Sequence, residues 1–178
     1  MFDPRNAVAR ETDRRGGFRI ENDEAPDAAR SLMHGIFVGE IQALEGAGRT
    51  CWDFETGKGS DEAPFELKLD MARQCWDEAR HAEIMIKRIE ATGVPWRPGD
   101  PGFAPYPLDN GPWQDIYPGG LFDRLVAMNR GIEGLSLDTH VFRSDTFAAL
   151  GDDVAAATHL YIVADEAPHV GFGTRWLR

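Results

Sequence analysis

The sequence predicts an all-α fold of four long helices, and three observations carry that expectation. Apolar residues recur at three- and four-residue steps over long stretches. Glycine and proline gather at a few breaks between those stretches. No strand-like alternation competes with the helical period. At 178 residues the chain is the size of one ordinary domain, long enough to bury a single core.

Residues 1–23 are polar, rich in Arg and Asp, and without a sustained period, so they read as a flexible N-terminal arm. Residues 24–178 read as one helical domain. The first helix is expected from about Glu24 to Asp53, with Met33, Phe37, Leu44, Ala47 and Cys51 as its buried stripe. "ETGKGSDEAP" breaks it. The second begins near Ala63, with Pro64 in its first turn, and carries Leu67, Met71, Gln74, Met85 and Ile89 until Gly93 and Pro95 stop it. Residues 94–118, "VPWRPGDPGFAPYPLDNGPWQDIYP", hold most of the eleven prolines and form a connector of unusual length for a compact domain. The third helix runs from about Leu121 to Ala149, "GDD" supplies a turn and a new cap, and the fourth runs from Val154 toward the end.

Composition narrows the function classes. A formal charge of -11 repels phosphate backbones, so no nucleic-acid partner is expected. The sequence has no uncharged apolar run of about 18 residues, and its start has no apolar segment of the signal-peptide kind, which predicts a soluble cytoplasmic protein with no membrane association. Cys51 and Cys75 form no CxxC pair, which excludes a cysteine-held zinc or rubredoxin-type iron site; both read as buried thiols.

The chemistry lies in a duplicated pattern. "DEARHAEI", residues 77–84, and "DEAPHVGFG", residues 165–173, both read Asp-Glu-Ala-x-His. Three-residue spacing puts Glu78 with His81, and Glu166 with His169, on one helix face, and that face is the apolar one. With five histidines in 178 positions, a given glutamate has a histidine three residues on roughly 3 % of the time, so two such pairs are a strong signal. Glu40 lies on the stripe of the first helix and Glu133 on that of the third. Each of the four glutamates is about 13 to 16 residues from its turn, or roughly 20 Å at ~1.5 Å per residue, so paired hairpins bring them to one level. Four buried carboxylates without cations would repel one another and each would lose its hydration. Two divalent ions would neutralise them. Oxygen-rich sites with one histidine per ion suit iron, with manganese or a mixed manganese and iron pair as alternatives.

This arrangement resembles the ferritin-like di-iron carboxylate superfamily, whose pattern is one glutamate from each of two helices and Glu-x-x-His from the other two. The stretches "WDEARHAEI" and "DEAPHVGFGTRWLR" are similar to an uncharacterised ferritin-like family whose fourth helix carries Asp-Glu-x-x-His-Val followed by Gly-x-x-Trp. The resemblance implies a ferritin-like four-helix bundle of two antiparallel helical hairpins, with residues 94–118 as the long crossover. It also implies six metal ligands: Glu40, Glu78, His81, Glu133, Glu166 and His169. In related oxygenases an aspartate accepts the N–H of each ligand histidine, so Asp165 is expected to serve His81 and Asp77 to serve His169. Arg80 matches the family element Asp-Glu-x-Arg-His and is expected to pair with one of these aspartates. Its counterpart in the second motif is Pro168, so the second half-site would lack that ion pair.

By the same resemblance the expected function is a di-iron oxidase or oxygenase that uses O2 and an external electron donor to oxidise a small organic substrate. The acidic balance favours neutral or cationic substrates, including amines. A ferroxidase or iron-handling protein is an alternative, although storage ferritins generally lack the second histidine. A rubrerythrin-like peroxidase is another, although the usual CxxC pairs are missing. Trp96, Phe103, Tyr106, Trp113 and Tyr117 read as packing, with a pocket roof or a homodimer surface as other roles. Trp52, Trp76 and Tyr161 read as core rather than as electron relays. His140 and His159 read as a facing core pair two turns from the ligands. Gly39, Gly131 and Gly134 flank the single glutamates, where missing side chains leave room for O2 or substrate or allow close helix packing. Pro168 removes an amide donor, which predicts a kink in the fourth helix and a more open His169 side.

Overall fold

The computed structural model describes residues 25–59, 61–92 and 116–178, with backbone alone for 25–35 and 92. The expected arm, residues 1–23, and nearly all of the expected crossover lie outside the described residues, as do Trp96, Phe103, Tyr106, Trp113 and the side chain of Met33. The described chain is mostly helical. Helix α1 spans Ala25–Trp52 and α2 spans Phe65–Thr92. Helix α3 is continuous but has three parts: Leu121–Arg124, a π-helical stretch Leu125–Ile132, and Glu133–Ala149. Helix α4 spans Asp153–Trp176. None of the described helices is long and apolar enough to cross a membrane.

Local chemistry sets the helix ends. Pro64, expected inside the first turn of α2, precedes it; its carbonyl accepts from the amide of Lys68 at 3.1 Å. Between α1 and α2 the chain forms a two-residue strand pair, Glu55–Thr56 (β1) with Glu62–Ala63 (β2), which the helical period did not signal. Gly151 adopts φ +80° in the α3/α4 turn, a backbone conformation that side chains disfavour. Asp152 caps α4, its Oδ1 accepting from the amide of Ala155 at 2.9 Å.

Helix α1 packs along α2, and α3 along α4, while α2 and α4 touch across the pairs. One apolar cluster draws on all four helices, through Phe37, Met85, Phe147 and Ile162. A second joins Leu67 and Met71 to Leu121, Leu125 and Phe172. Along α2, Glu78 and His81 lie between Met71 of the second cluster and Met85 of the first. Along α4, Glu166 and His169 lie between Ile162 and Phe172 in the same way. The polar residues therefore form a layer between two apolar ones, which excludes water from both sides.

The Gly-x-x-Trp element fastens this layer. A Cβ on Gly173 would stand 2.8 Å from the Cβ of Asn129, so only glycine lets α4 approach the π-helical stretch this closely. Trp176 Nε1 donates to Asp70 Oδ2 at 2.8 Å, tying the end of α4 to α2. Helix α4 runs through Pro168 from Asp153 to Trp176. The π-helical irregularity lies in α3, where the amide of Glu133 bonds the carbonyl of Met128, five residues back.

Candidate metal centre

The structure brings Glu40, Glu78, His81, Glu133, Glu166 and His169 together, all of them buried. They form two groups, each able to hold a metal ion: Glu40, Glu78, His81 and Glu166, and Glu78, Glu133, Glu166 and His169. Both imidazoles turn Nδ1 inward. His81 Nδ1 lies 3.2 Å from Glu40 Oε2, 3.2 Å from Glu78 Oε2 and 3.7 Å from Glu166 Oε1. His169 Nδ1 lies 3.2 Å from Glu78 Oε1, 3.6 Å from Glu166 Oε2 and 4.0 Å from Glu133 Oε2. Glu78 and Glu166 thus each turn one oxygen to His81 and the other to His169.

These separations fit a metal. With metal–donor bonds of about 2.1 Å, two donors on one ion lie at most about 4.2 Å apart. Glu78 Oε1, Glu166 Oε2 and His169 Nδ1 are buried and face one another, the oxygens 3.2 and 3.6 Å from the nitrogen, without forming a well-aligned hydrogen bond among the described residues. Unpaired polar atoms so deep are costly unless something binds them, and a cation suits two carboxylate oxygens and an imidazole nitrogen.

The outward nitrogens meet aspartates from the opposite motif. His81 Nε2 is 3.2 Å from Asp165 Oδ2, and His169 Nε2 is 3.3 Å from Asp77 Oδ2. Each aspartate fixes its histidine with Nε2–H donating and Nδ1 free to ligate. Arg80 differs from the sequence expectation of an ion pair in one half-site alone. Its guanidinium pairs with Asp77 and also reaches Asp165 at 3.0 Å, because the crossed Asp-His pairs bring both aspartates to one side of the α2/α4 contact. Arg73 adds a second guanidinium, its Nε 2.7 Å from Asp77 Oδ2. Pro168 therefore does not leave the second aspartate unpaired.

Charge in the metal-free cluster is balanced by protons. Burial disfavours a charged His81, but hydrogen bonds and negative charge from Glu40 and Glu78 outweigh it and push the group up to about 11. His169 is likewise opposed by burial and raised to about 10 by Glu166 and Glu78. Burial would raise Glu40, yet the hydrogen bond and the positive charge of His81 draw it below the usual carboxylate range. Glu133 moves the other way: burial and the neighbouring charge of Glu166 lift it well above the usual carboxylate range.

Sequence reasoning placed Gln74 on the buried stripe without a role, read His140 and His159 as a facing core pair, and did not pick out Asn129. Gln74 Nε2 donates to Glu133 Oε1. Asn129 Nδ2 donates to Gln74 Oε1 at 2.9 Å and to the carbonyl of His169 at 3.3 Å. Both lie four residues before a ligand-type glutamate, and an amide on a buried stripe was the available signal. On the other side, His140 Nε2 is 3.6 Å from Glu40 Oε1. Its Nδ1 is 2.8 Å from Nδ1 of His159, whose ring stacks on Phe147. Burial, with the repulsion that Arg143 and any charge on His140 would add, pulls His159 down to about 3, and burial lowers His140 as well. The histidine pair is therefore neutral, with one Nδ1–H donating to the other ring.

A cavity of about 200 Å³ opens beside the cluster between α1 and α3. Glu40 and Glu133 line it, and it continues along α3 to His140 and Arg143. Neither His81 nor His169 lines it. The expectation of an opening on the His169 side alone is corrected: Gln74 and Asn129 pack against Glu133 on that side, while the cavity meets Glu40 and Glu133 alike, with open volume at the Cβ position of Gly39. Two further expectations are corrected. Trp52, Trp76 and Tyr161 are exposed rather than core, at 86 %, 64 % and 43 %. Cys51 and Cys75 are only partly buried. Tyr117, at the end of the connector, packs as expected, buried against α1 and α3 neighbours.

A mostly helical chain with four glutamates and two histidines converging in its interior defines a class of protein whose core could hold metal ions through carboxylate and imidazole donors. The chain belongs to the family described as "Protein of unknown function (DUF455)", whose model matches residues 5–178. No curated protein and no solved structure matches it.

Proposed function

We propose that the protein is a non-haem dinuclear oxidoreductase of the ferritin-like carboxylate type. It holds two iron ions, or manganese or a mixed manganese and iron pair, and uses O2 to oxidise a small organic substrate. The observation that most supports this is the division of Glu78 and Glu166 between His81 and His169, which suits carboxylates bridging two ions. Four carboxylates around two divalent ions are neutral as a cluster, which removes the repulsion that otherwise opposes burying them.

When bound, the ions supply the redox chemistry with O2. The chain supplies the rest. Asp77 and Asp165 fix both histidines, Gln74 orients Glu133, and the flanking apolar layers keep bulk water out. The cavity gives a substrate access to the Glu40–Glu133 edge. An external electron donor returns the site to its reduced state after each turnover.

The test is anaerobic addition of ferrous iron to metal-free protein, followed by O2. The proposal predicts two ferrous ions per chain and O2 uptake that stops when they are oxidised, then resumes on adding reductant. Ferric mineral growing beyond two ions per chain favours iron handling, and preferential consumption of hydrogen peroxide favours a peroxidase. Bound iron that ignores both oxidants indicates a structural site, and failure to bind iron or manganese removes the proposal.

A further inference from the structure

The wall of the cavity beside the cluster carries a continuous apolar side. Helix α1 contributes Ile36, Gly39 and Ala43, and α3 contributes Ile132 and Leu135. Ile36 and Ala43 are buried, so their packing holds this wall in place. A Cβ added to Gly39 would meet nothing within 4 Å, which leaves room that any larger residue would occupy. Gly39 directly precedes Glu40, so that room adjoins the outer carboxylate of the His81 group.

The charged and polar groups around the cavity are engaged elsewhere. Two divalent ions cancel the four carboxylates of the cluster, Glu40 and Glu133 among them. His140 spends its Nδ1 on His159 at 2.8 Å. The Thr139 hydroxyl donates to the carbonyl of Ser136 at 3.1 Å. Arg143, at the far end, already has a partner within the chain. A charged ligand of either sign would therefore leave water for a wall with no counter-charge set aside for it, whereas an apolar one gives up little on entering. Size narrows the occupant further. A dry apolar cavity of about 150 Å³ takes one benzene, so about 200 Å³ suits a six-membered ring with one or two more atoms.

We infer that this cavity takes an uncharged, apolar molecule about the size of a substituted six-membered ring, lying along Ile36, Gly39 and Ala43 with one end at the Glu40–Glu133 edge. This rests on the dinuclear reading and names the substrate class of that site. Of the neutral and cationic substrates that the overall charge favours, the cavity keeps the neutral ones, because its occupant meets this wall and not the acidic outer surface. Gly39 sets the size limit.

Fluorine NMR titration of the ferrous-loaded protein without O2 tests it, with 4-fluorotoluene, 4-fluorobenzylamine and 4-fluorobenzoate as probes and metal content measured on the same samples. The 4-fluorotoluene is expected to bind at least tenfold tighter than either charged probe, its signal broadened by the nearby ions. Gly39→Leu, which fills the cavity, should weaken it at least tenfold, with Gly39→Ala in between. If Gly39→Leu does not fold, the order of the three probes on the wild type still decides. A charged probe binding as tightly as 4-fluorotoluene to protein that holds two ions overturns the neutral class alone; for the benzoate it would place the carboxylate on the ions. Unchanged 4-fluorotoluene binding in folded Gly39→Leu overturns the assignment to this cavity, and so does a lack of binding by any probe. Protein that binds no metal overturns the dinuclear reading, and with it the charge balance on which the neutral class rests.

Discussion

The two donor groups share Glu78 and Glu166 and have the same Glu-His spacing, yet their surroundings differ. In the His81 group the outer carboxylate, Glu40, stands beside the neutral His140–His159 pair, while the cavity touches the outer carboxylates of both groups. In the His169 group the outer carboxylate, Glu133, receives the Gln74 amide, which Asn129 holds in turn. Glu40 is drawn down and Glu133 is driven up, so a proton in the metal-free cluster prefers Glu133. Two motifs that are equal in spacing have become one group beside a histidine pair and one held by side-chain amides, and the residues that differ are not the ligands.

Removing a shared ligand should erase the difference. Glu78→Ala takes a donor from both groups, and we expect at least ~100-fold weaker metal binding at both, read by titration against a competing chelator. Retention of one tight ion would show that Glu78 does not bridge.

Acidity should separate the groups next. His81 and His169 keep their protons in the metal-free fold up to about 11 and 10. In the unfolded chain they release them near ~6.5. Between those values the folded state holds more protons, so metal-free stability falls as pH rises, measurable by urea unfolding. Each ion must displace one histidine proton, so its affinity should rise roughly tenfold per pH unit near neutrality, and roughly 100-fold at the group that must also shed the Glu133 proton. A pH-independent affinity would contradict this charge balance.

Selective damage should follow the neighbours. Gln74→Leu is expected to weaken the His169 group ~10- to 100-fold and spare the other, while His140→Phe does the reverse. Equal loss at both would remove the asymmetry. A smaller effect, about tenfold, is expected when the crossed aspartates are changed. Asp77→Asn should weaken the ion at His169, and Asp165→Asn the ion at His81, each opposite to its own motif. Smallest is Asp152→Ala, which removes the α4 cap far from both groups. It should lower stability by about 1 kcal/mol without changing the metal content.

Helix positions and ligand-type residues were readable because both depend on short-range spacing. A stripe at three and four residues is a property of one helix, and Glu78 with His81 or Glu166 with His169 needs no knowledge of neighbours. The crossing of Asp77 and Asp165 followed from a family pattern. What could not be read depends on how helices meet. One guanidinium serving both aspartates, Gln74 and Asn129 closing one side, and a cavity beside Glu40 arise only from packing between α1, α2, α3 and α4. Pro168 drew attention to α4 because it breaks a local rule, whereas the π-helical stretch before Glu133 carries no comparable mark in "LVAMNRGI". Trp76 and Tyr161 were misjudged as core; both are exposed, and Arg80 bonds the Tyr161 hydroxyl.

The decisive measurement is the number of ferrous ions that metal-free protein binds at saturation without O2, in the wild type and in His169→Ala. Saturation at two per chain, falling to one in the variant while the ion at His81 is kept, is the predicted result. Saturation of the wild type at one or none, or an undiminished two in His169→Ala, would contradict a pair of ions bridged by Glu78 and Glu166.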